Sequence, residues 1–255
     1  MRRIFWELLK TDLQLLLLRL KDKAIDSLIW SSVTIVIMAY VLPEFGLKNF
    51  GTFQAATIII SIIGFEINSQ LYSMASGIEY RKHLFYLFTL PVPSWLVFLQ
   101  KVILFTINGV ILGLIVLPTM KFFLRQEMNL LMISWWRLGL TLIVSSFFFS
   151  CLSLFLLGFV KRSEQVEHLL MRLIFPMWFL GGFQFSWLVL YKINPYLGWF
   201  SLLSPFTYAN EAARSSILGP KNFLSFWLCI GILCIGSIVL GYQGYLLVKR
   251  KVDLI

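Results

Sequence analysis

The sequence has too little charge for a water-soluble protein of its length: Asp, Glu, Lys and Arg make up 13% of 255 residues, against 59% hydrophobic ones. A globular chain carries roughly a quarter charged residues to cover itself. Histidine is nearly absent, with His83 and His168 alone, which leaves few actors for metal or acid–base chemistry. The three cysteines, Cys151, Cys229 and Cys234, all lie in apolar runs, so no disulfide framework is expected. No P-loop, His-Glu-x-x-His, Cys-x-x-Cys or Gly-x-Ser-x-Gly pattern occurs. No 20–50-residue repeat or long hydrophilic stretch marks a second domain. These absences remove the common nucleotide hydrolases, zinc proteases and serine hydrolases, and no catalytic or metal site is expected.

What the sequence does have is long uncharged runs. A bilayer core about 30 Å thick takes roughly 20 apolar residues per helix. Between Lys23 and Glu44 the only charge is Asp26, and from Phe50 to about Met74 it is Glu66. Val102 to Met120, Leu138 to Val160, Leu173 to Tyr191 and Asn222 to Val248 carry none. The expected fold is an all-α integral membrane protein with six transmembrane helices. Within 193–220, Asn194, Pro195, Gly198, Ser204 and Pro205 interrupt any long helix, which predicts short broken external helices before the last span, re-entrant or at the surface. Residues 1–23 set Arg3, Glu7, Lys10, Gln14 and Lys21 opposite Trp6, Leu9, Leu13, Leu16, Leu17 and Leu20. That spacing predicts an N-terminal amphipathic interface helix.

An even number of spans puts both termini on one side of the membrane. Fifteen of the 22 Lys and Arg fall on that side and seven on the other, so both termini are expected in the cytoplasm, with the chain in the inner (cytoplasmic) membrane. The net charge of +10 follows from this distribution and calls for membrane lipid, with no nucleic acid, as its partner. Trp95, Trp135, Trp136, Trp187 and Trp199 fall where interfacial aromatic belts are expected.

Few polar residues interrupt the spans. A carboxylate in lipid is costly, so Glu66 should face the bundle interior, a subunit interface or water. Asn68 lies near it, and Gln70 one turn further on its own face. Asn108 in the third span raises the same question. A transport route and a structural bond to another helix both satisfy that cost. Phe147, Phe148, Phe149 and Trp178 pose the aromatic version, between lining a passage and plain packing.

Two segments carry a family resemblance. Residues 76–94 read Ser76-Gly77-Ile78-Glu79-Tyr80-Arg81-Lys82, then an apolar helical stretch stopped by Pro91 and Pro93. This resembles the Glu-x-x-x-Gly-x-x-x-x-Leu-x-x-x-Pro cytoplasmic coupling loop of the permeases of type-2 ABC (ABC-2 type) exporters. Glu79, Leu87 and Pro91 match in kind, while Arg81 and Lys82 stand where that family usually has Arg-Gly. Residues 203–219 resemble the family's Asn-Pro-Leu-Thr-Tyr-x-x-Glu-x-x-Arg stretch through Pro205, Tyr208, Glu211 and Arg214. Ser204 replaces the commoner Asn at the helix cap. The run Phe175-Pro176-Met177-Trp178-Phe179-Leu180-Gly181 is similar to the family's Pro-containing fifth helix ending in Gly.

The resemblance implies one ABC-2 type transmembrane domain over 1–255. It would form the permease subunit of an ATP-driven exporter of a lipid, glycan or amphipathic substrate. It implies a cytoplasmic P-loop ATPase subunit in two copies, holding ATP and Mg that this chain does not bind, and a second permease copy in a homodimer. Glu79, Arg81, Lys82, Leu87 and Pro91 would then couple to the ATPase. A secondary carrier or channel would need further buried charges or paired broken helices, and a membrane-embedded enzyme or assembly factor a convergent titratable set.

Overall fold

The computed structural model describes residues 2–46, 50–79, 93–124, 133–220 and 222–253, and every regular element among them is helical. Helix α1 (Arg2–Val36) continues through a π-helical turn (Ile37–Val41) and a 3₁₀ turn (Leu42–Phe45). Helices α2 (Phe50–Glu79), α3 (Ser94–Phe123) and α4 (Trp135–Leu157) follow. With α1 and the last helix, α10 (Phe226–Asp253), they make five helices long and apolar enough to cross a bilayer.

The structure has no break at residue 23: the N-terminal amphipathic stretch and the first span run together as one helix. The reason is Asp12, which is buried and accepts hydrogen bonds from Gln100 and Lys101 of α3. Asp12 is thus spent on a neighbouring helix, while Glu7, Lys10, Gln14 and Lys21 of the polar face stay exposed. The same register continues upward, with Ser31 3.2 Å from Thr119 and the Tyr40 hydroxyl donating to the Phe123 carbonyl at 2.6 Å. Helices α1 and α3 therefore run parallel in close contact.

The expected fifth span, Leu173 to Tyr191, is not one unbroken helix. Helix starts earlier, at α5 (Gln165–Leu169), passes through a π-helical turn (Leu170–Ile174) into α6 (Phe175–Leu180), and stops. Residues 165 to 180 reach only about 24 Å at the α-helical rise, short of a bilayer core. Pro176 lacks the N–H that would close the preceding turn. Gly182 then takes φ +74, a left-handed conformation that glycine adopts without strain. Three short helices follow, α7 (Trp187–Ile193), α8 (Pro195–Ser201) and α9 (Pro205–Ile217).

Lipid gives little hydrophobic drive for one helix to meet another, so close approach must come from small residues and interhelical hydrogen bonds. On α3, Gly109 and Gly113 form a Gly-x-x-x-Gly face. A Cβ at Gly109 would lie 2.8 Å from Ser146 Oγ, and one at Gly113 2.9 Å from Leu142 Cδ2. Helix α10 packs along α4, and a Cβ at Gly244 would come within 2.9 Å of the Phe155 backbone.

The deepest element is α9. Phe206 is fully buried, 4.7 Å from the Phe149 ring, and a Cβ on either Gly64 or Gly181 would fall 2.3 Å from it. Pro205 suits the first turn because its missing N–H has no partner to lose there. Ser204 occupies the cap position but makes no side-chain cap bond; its hydroxyl donates to the Met177 carbonyl at 2.5 Å.

Candidate functional site

Helix α2 turns one stripe toward open space: Ile62, Phe65, Glu66, Ser69, Ser73 and Ser76, at spacings of three and four. It passes from apolar to polar along its length. Two cavities lie end to end along it. The polar chamber, about 700 Å³, is lined by Asp12, Arg19, Lys23, Glu66, Lys101 and Asn108 among others. The aromatic chamber, about 610 Å³, is lined by Asp26, Trp30, Phe65, Phe175, Trp178 and Phe179 among others. Lys23, Glu66 and Ser69 belong to both walls, so the chambers form one groove with an ion pair at its waist.

At that waist Glu66, 9% exposed, is ion-paired with Lys23, 23% exposed, and accepts a 2.8 Å hydrogen bond from Asn108 Nδ2. Pair and amide together offset much of the cost of holding a carboxylate at membrane depth. Gln70 accepts from Ser153 Oγ at 3.0 Å, and Asn68 keeps a buried carbonyl oxygen without a partner among the described residues. Trp178 is nearly buried and donates its indole N–H to Ser61 Oγ at 2.8 Å. Its ring stands 5.1 Å from Phe65 and 4.1 Å from Phe183.

Glu66, Asn68, Gln70 and Asn108 thus line the polar chamber and Trp178 the aromatic one. Phe148 and Phe149 sit in the packed core. Sequence reasoning missed Lys23, treated there as the edge of a run, and the buried Asp12–Lys101 pair. The signal for the groove itself was present, because the α2 stripe repeats at helical spacing.

The segment before the last span is built differently. The end of α6 and the turn after it leave carbonyls that no helix satisfies. Arg214 donates to the carbonyls of Gly182 at 2.6 Å, Phe183 at 3.0 Å and Phe185 at 2.8 Å. Asn210 donates to Gly181 at 2.9 Å and Thr57 to Phe183 at 3.1 Å. Glu211 accepts the backbone N–H groups of Trp187 and Leu224, each at 3.0 Å, and lies 3.5 Å from Arg214. The Arg214 guanidinium stacks over the Phe53 ring at 3.8 Å. Tyr208 donates to the Leu202 carbonyl at 2.8 Å. Glu211 and Arg214 are therefore committed to holding a break in the bundle closed, while Pro205 starts the helix that carries them and Tyr208 ties it to the end of α8.

At the end of the bundle where α2 finishes, Glu79 accepts the Ser163 N–H at 2.9 Å and the Ser163 hydroxyl at 2.8 Å. The Ser163 backbone bond, then its hydroxyl, hold the Glu79 carboxyl below its ordinary value against a smaller opposing effect of burial, with the Arg162 charge adding least. Lys251 donates to the Leu157 and Val160 carbonyls, capping the end of α4. Arg81, Lys82, Leu87 and Pro91 lie outside the described residues.

Bilayer-length helices, a half-open groove graded from charged to aromatic, and a stapled break before the last span define a multi-pass membrane protein of the transport type. The chain belongs to the ABC-2 type transporter family, whose sequence pattern it matches over residues 5–218. It is thus the transmembrane subunit of an ABC transporter, a permease domain rather than an ATPase, and the family implies pairing with an ATP-binding subunit. The match takes in the groove and α9 and ends before α10. No curated protein matches the chain.

Proposed function

We propose that this chain is the permease of an ATP-driven exporter and that its substrate moves along the groove between α1, α2 and α6. Two copies pair with two cytoplasmic P-loop ATPase subunits, which supply ATP and Mg. Both termini face the cytoplasm of a cell whose inner membrane holds the chain. The observation that carries the reading is the graded groove in a chain of this family: its polar chamber opens toward the bundle end with Glu79, and its aromatic chamber lies beyond the waist.

Closure of the ATPase pair would press on the 76–94 loop through Glu79, Arg81, Lys82, Leu87 and Pro91. Because Glu79 also grips Ser163, that push reaches the α4–α5 connection and, through it, α6, one wall of the aromatic chamber. Rigid shifts of packed helices then alter access along the groove.

The test is purification of the tagged chain from its native membrane, followed by reconstitution. The reading expects a co-purifying P-loop ATPase and efflux that stops on ATP depletion. A complex without a nucleotide-binding partner, and efflux that survives ATP depletion, would overturn it. The buried Asp12–Lys101 and Glu66–Lys23 pairs favour one second reading, a proton-coupled carrier, since buried ionisable pairs serve proton relays. Efflux abolished by a protonophore at constant ATP would select that reading instead.

A further inference from the structure

From the charge balance of the polar chamber we infer that the groove's occupant is an amphiphile with one hydrocarbon tail and an oxyanion head, such as a phosphate ester. The head lies on Arg19 and Lys23 in the polar chamber, and the tail lies among Trp30, Phe175 and Phe179 in the aromatic one. This rests on the reading of the groove as the substrate's route and names the chemistry that the route accepts.

Three cations and two carboxylates line the polar chamber. Lys101 is spent on Asp12, and both are buried. Lys23 is paired with Glu66. Arg19 is exposed and has no ion-pair partner among the described residues, so the wall carries one positive charge in excess. It lies four residues from Lys23 on α1, one helical turn away, and a guanidinium presents a fork of donors that fits an oxyanion.

The waist allows an exchange. Glu66 is held from the other side by Asn108, so Lys23 can turn to an incoming anion without leaving the carboxylate bare. The groove is also divided as an amphiphile is. Its polar chamber has five charged side chains, while the aromatic chamber, beyond the shared Lys23 and Glu66, has the single carboxylate of Asp26 and is walled mostly by rings and aliphatic groups. Each chamber has the volume of a small-molecule site.

Binding to the purified permease in zwitterionic nanodiscs tests this, with empty nanodiscs as the reference for partition into lipid. The probes are dodecyl phosphate, dodecyltrimethylammonium, dodecyl maltoside and inorganic phosphate. Dodecyl phosphate is expected to bind saturably and tightest of the four. Arg19→Gln, at an exposed position whose loss does not threaten folding, should weaken it about tenfold, as expected for losing a hydrogen bond to a charged group. Glu66→Gln should tighten it, because Lys23 is released. Equal affinity for the cationic, neutral and anionic probes would overturn the inference, as would inorganic phosphate binding as tightly as its ester. An unchanged affinity in Arg19→Gln would also overturn it. The assay needs neither ATPase nor efflux, so its failure beside intact ATP-driven efflux removes the substrate class alone.

Discussion

Two acid–base pairs in this bundle look alike on paper and sit in opposite surroundings. Glu211 and Arg214 are 1% and 0% exposed, and both carboxylate oxygens and both terminal guanidinium nitrogens are tied to backbone groups on other segments, while Arg214 Nε has no partner among the described residues. Glu66 and Lys23 are 9% and 23% exposed, hold one further side chain between them, and have cavities on either side. Burial in lipid alone does not tell a scaffold charge from a working one. The number of fixed partners and the presence of open volume do.

The largest expected effect is on the first pair. Arg214→Ala removes the donor from three carbonyls and leaves Glu211 as an uncompensated buried charge, at a cost of about 3–5 kcal/mol. Membrane abundance and detergent melting temperature should fall sharply; normal abundance would erase the contrast drawn here. Glu66→Gln should cost less, about 1–2 kcal/mol, since Lys23 has access to a wet chamber. The variant should insert normally while substrate-stimulated ATP hydrolysis in the assembled complex changes, and unchanged hydrolysis would move Glu66 to the scaffold class.

Trp178→Phe keeps the ring and loses the indole bond to Ser61, worth about 1 kcal/mol. Its effect should appear in substrate affinity more than in melting temperature, and the reverse would make Trp178 a packing residue. The smallest effect belongs to Glu79→Gln, at a solvent-facing contact. Limited proteolysis between α4 and α5 should quicken, and coupled ATP hydrolysis should drop with insertion intact. The folded-state carboxyl titrates below its ordinary value. The contact is therefore fully present above the unfolded pKa and lost as pH falls through the depressed one. The wild-type protein at acid pH should show the same quickened cleavage, and resistance at low pH would count against the contact.

Much of the fold was legible because apolar run length reports directly on the bilayer. The break at Gly181 and Gly182 was only half legible. The glycines were visible, but the run from Leu173 to Tyr191 counts as one apolar stretch, and the donors that satisfy its open carbonyls come from Asn210, Arg214 and Thr57, far away in sequence. Continuity of α1 was hidden for the same reason, since Asp12 reads as a surface charge until Lys101 is placed beside it. Glu66 and Asn108 were found because an isolated polar group in a span must be explained. Lys23 was not, because a lysine at the edge of a run already has the headgroups as an explanation.

The central contrast, an accessible working pair against a sealed structural one, is tested most directly by cysteine labelling in a background without native cysteines, using membranes that hold the permease with its ATPase. Ser69→Cys beside the waist should react with a water-soluble maleimide at a rate that changes when nucleotide is trapped on the ATPase. Ser215→Cys on buried α9 should stay unlabelled in both states. Equal labelling of the two positions, or a Ser69→Cys rate indifferent to nucleotide, would contradict the account.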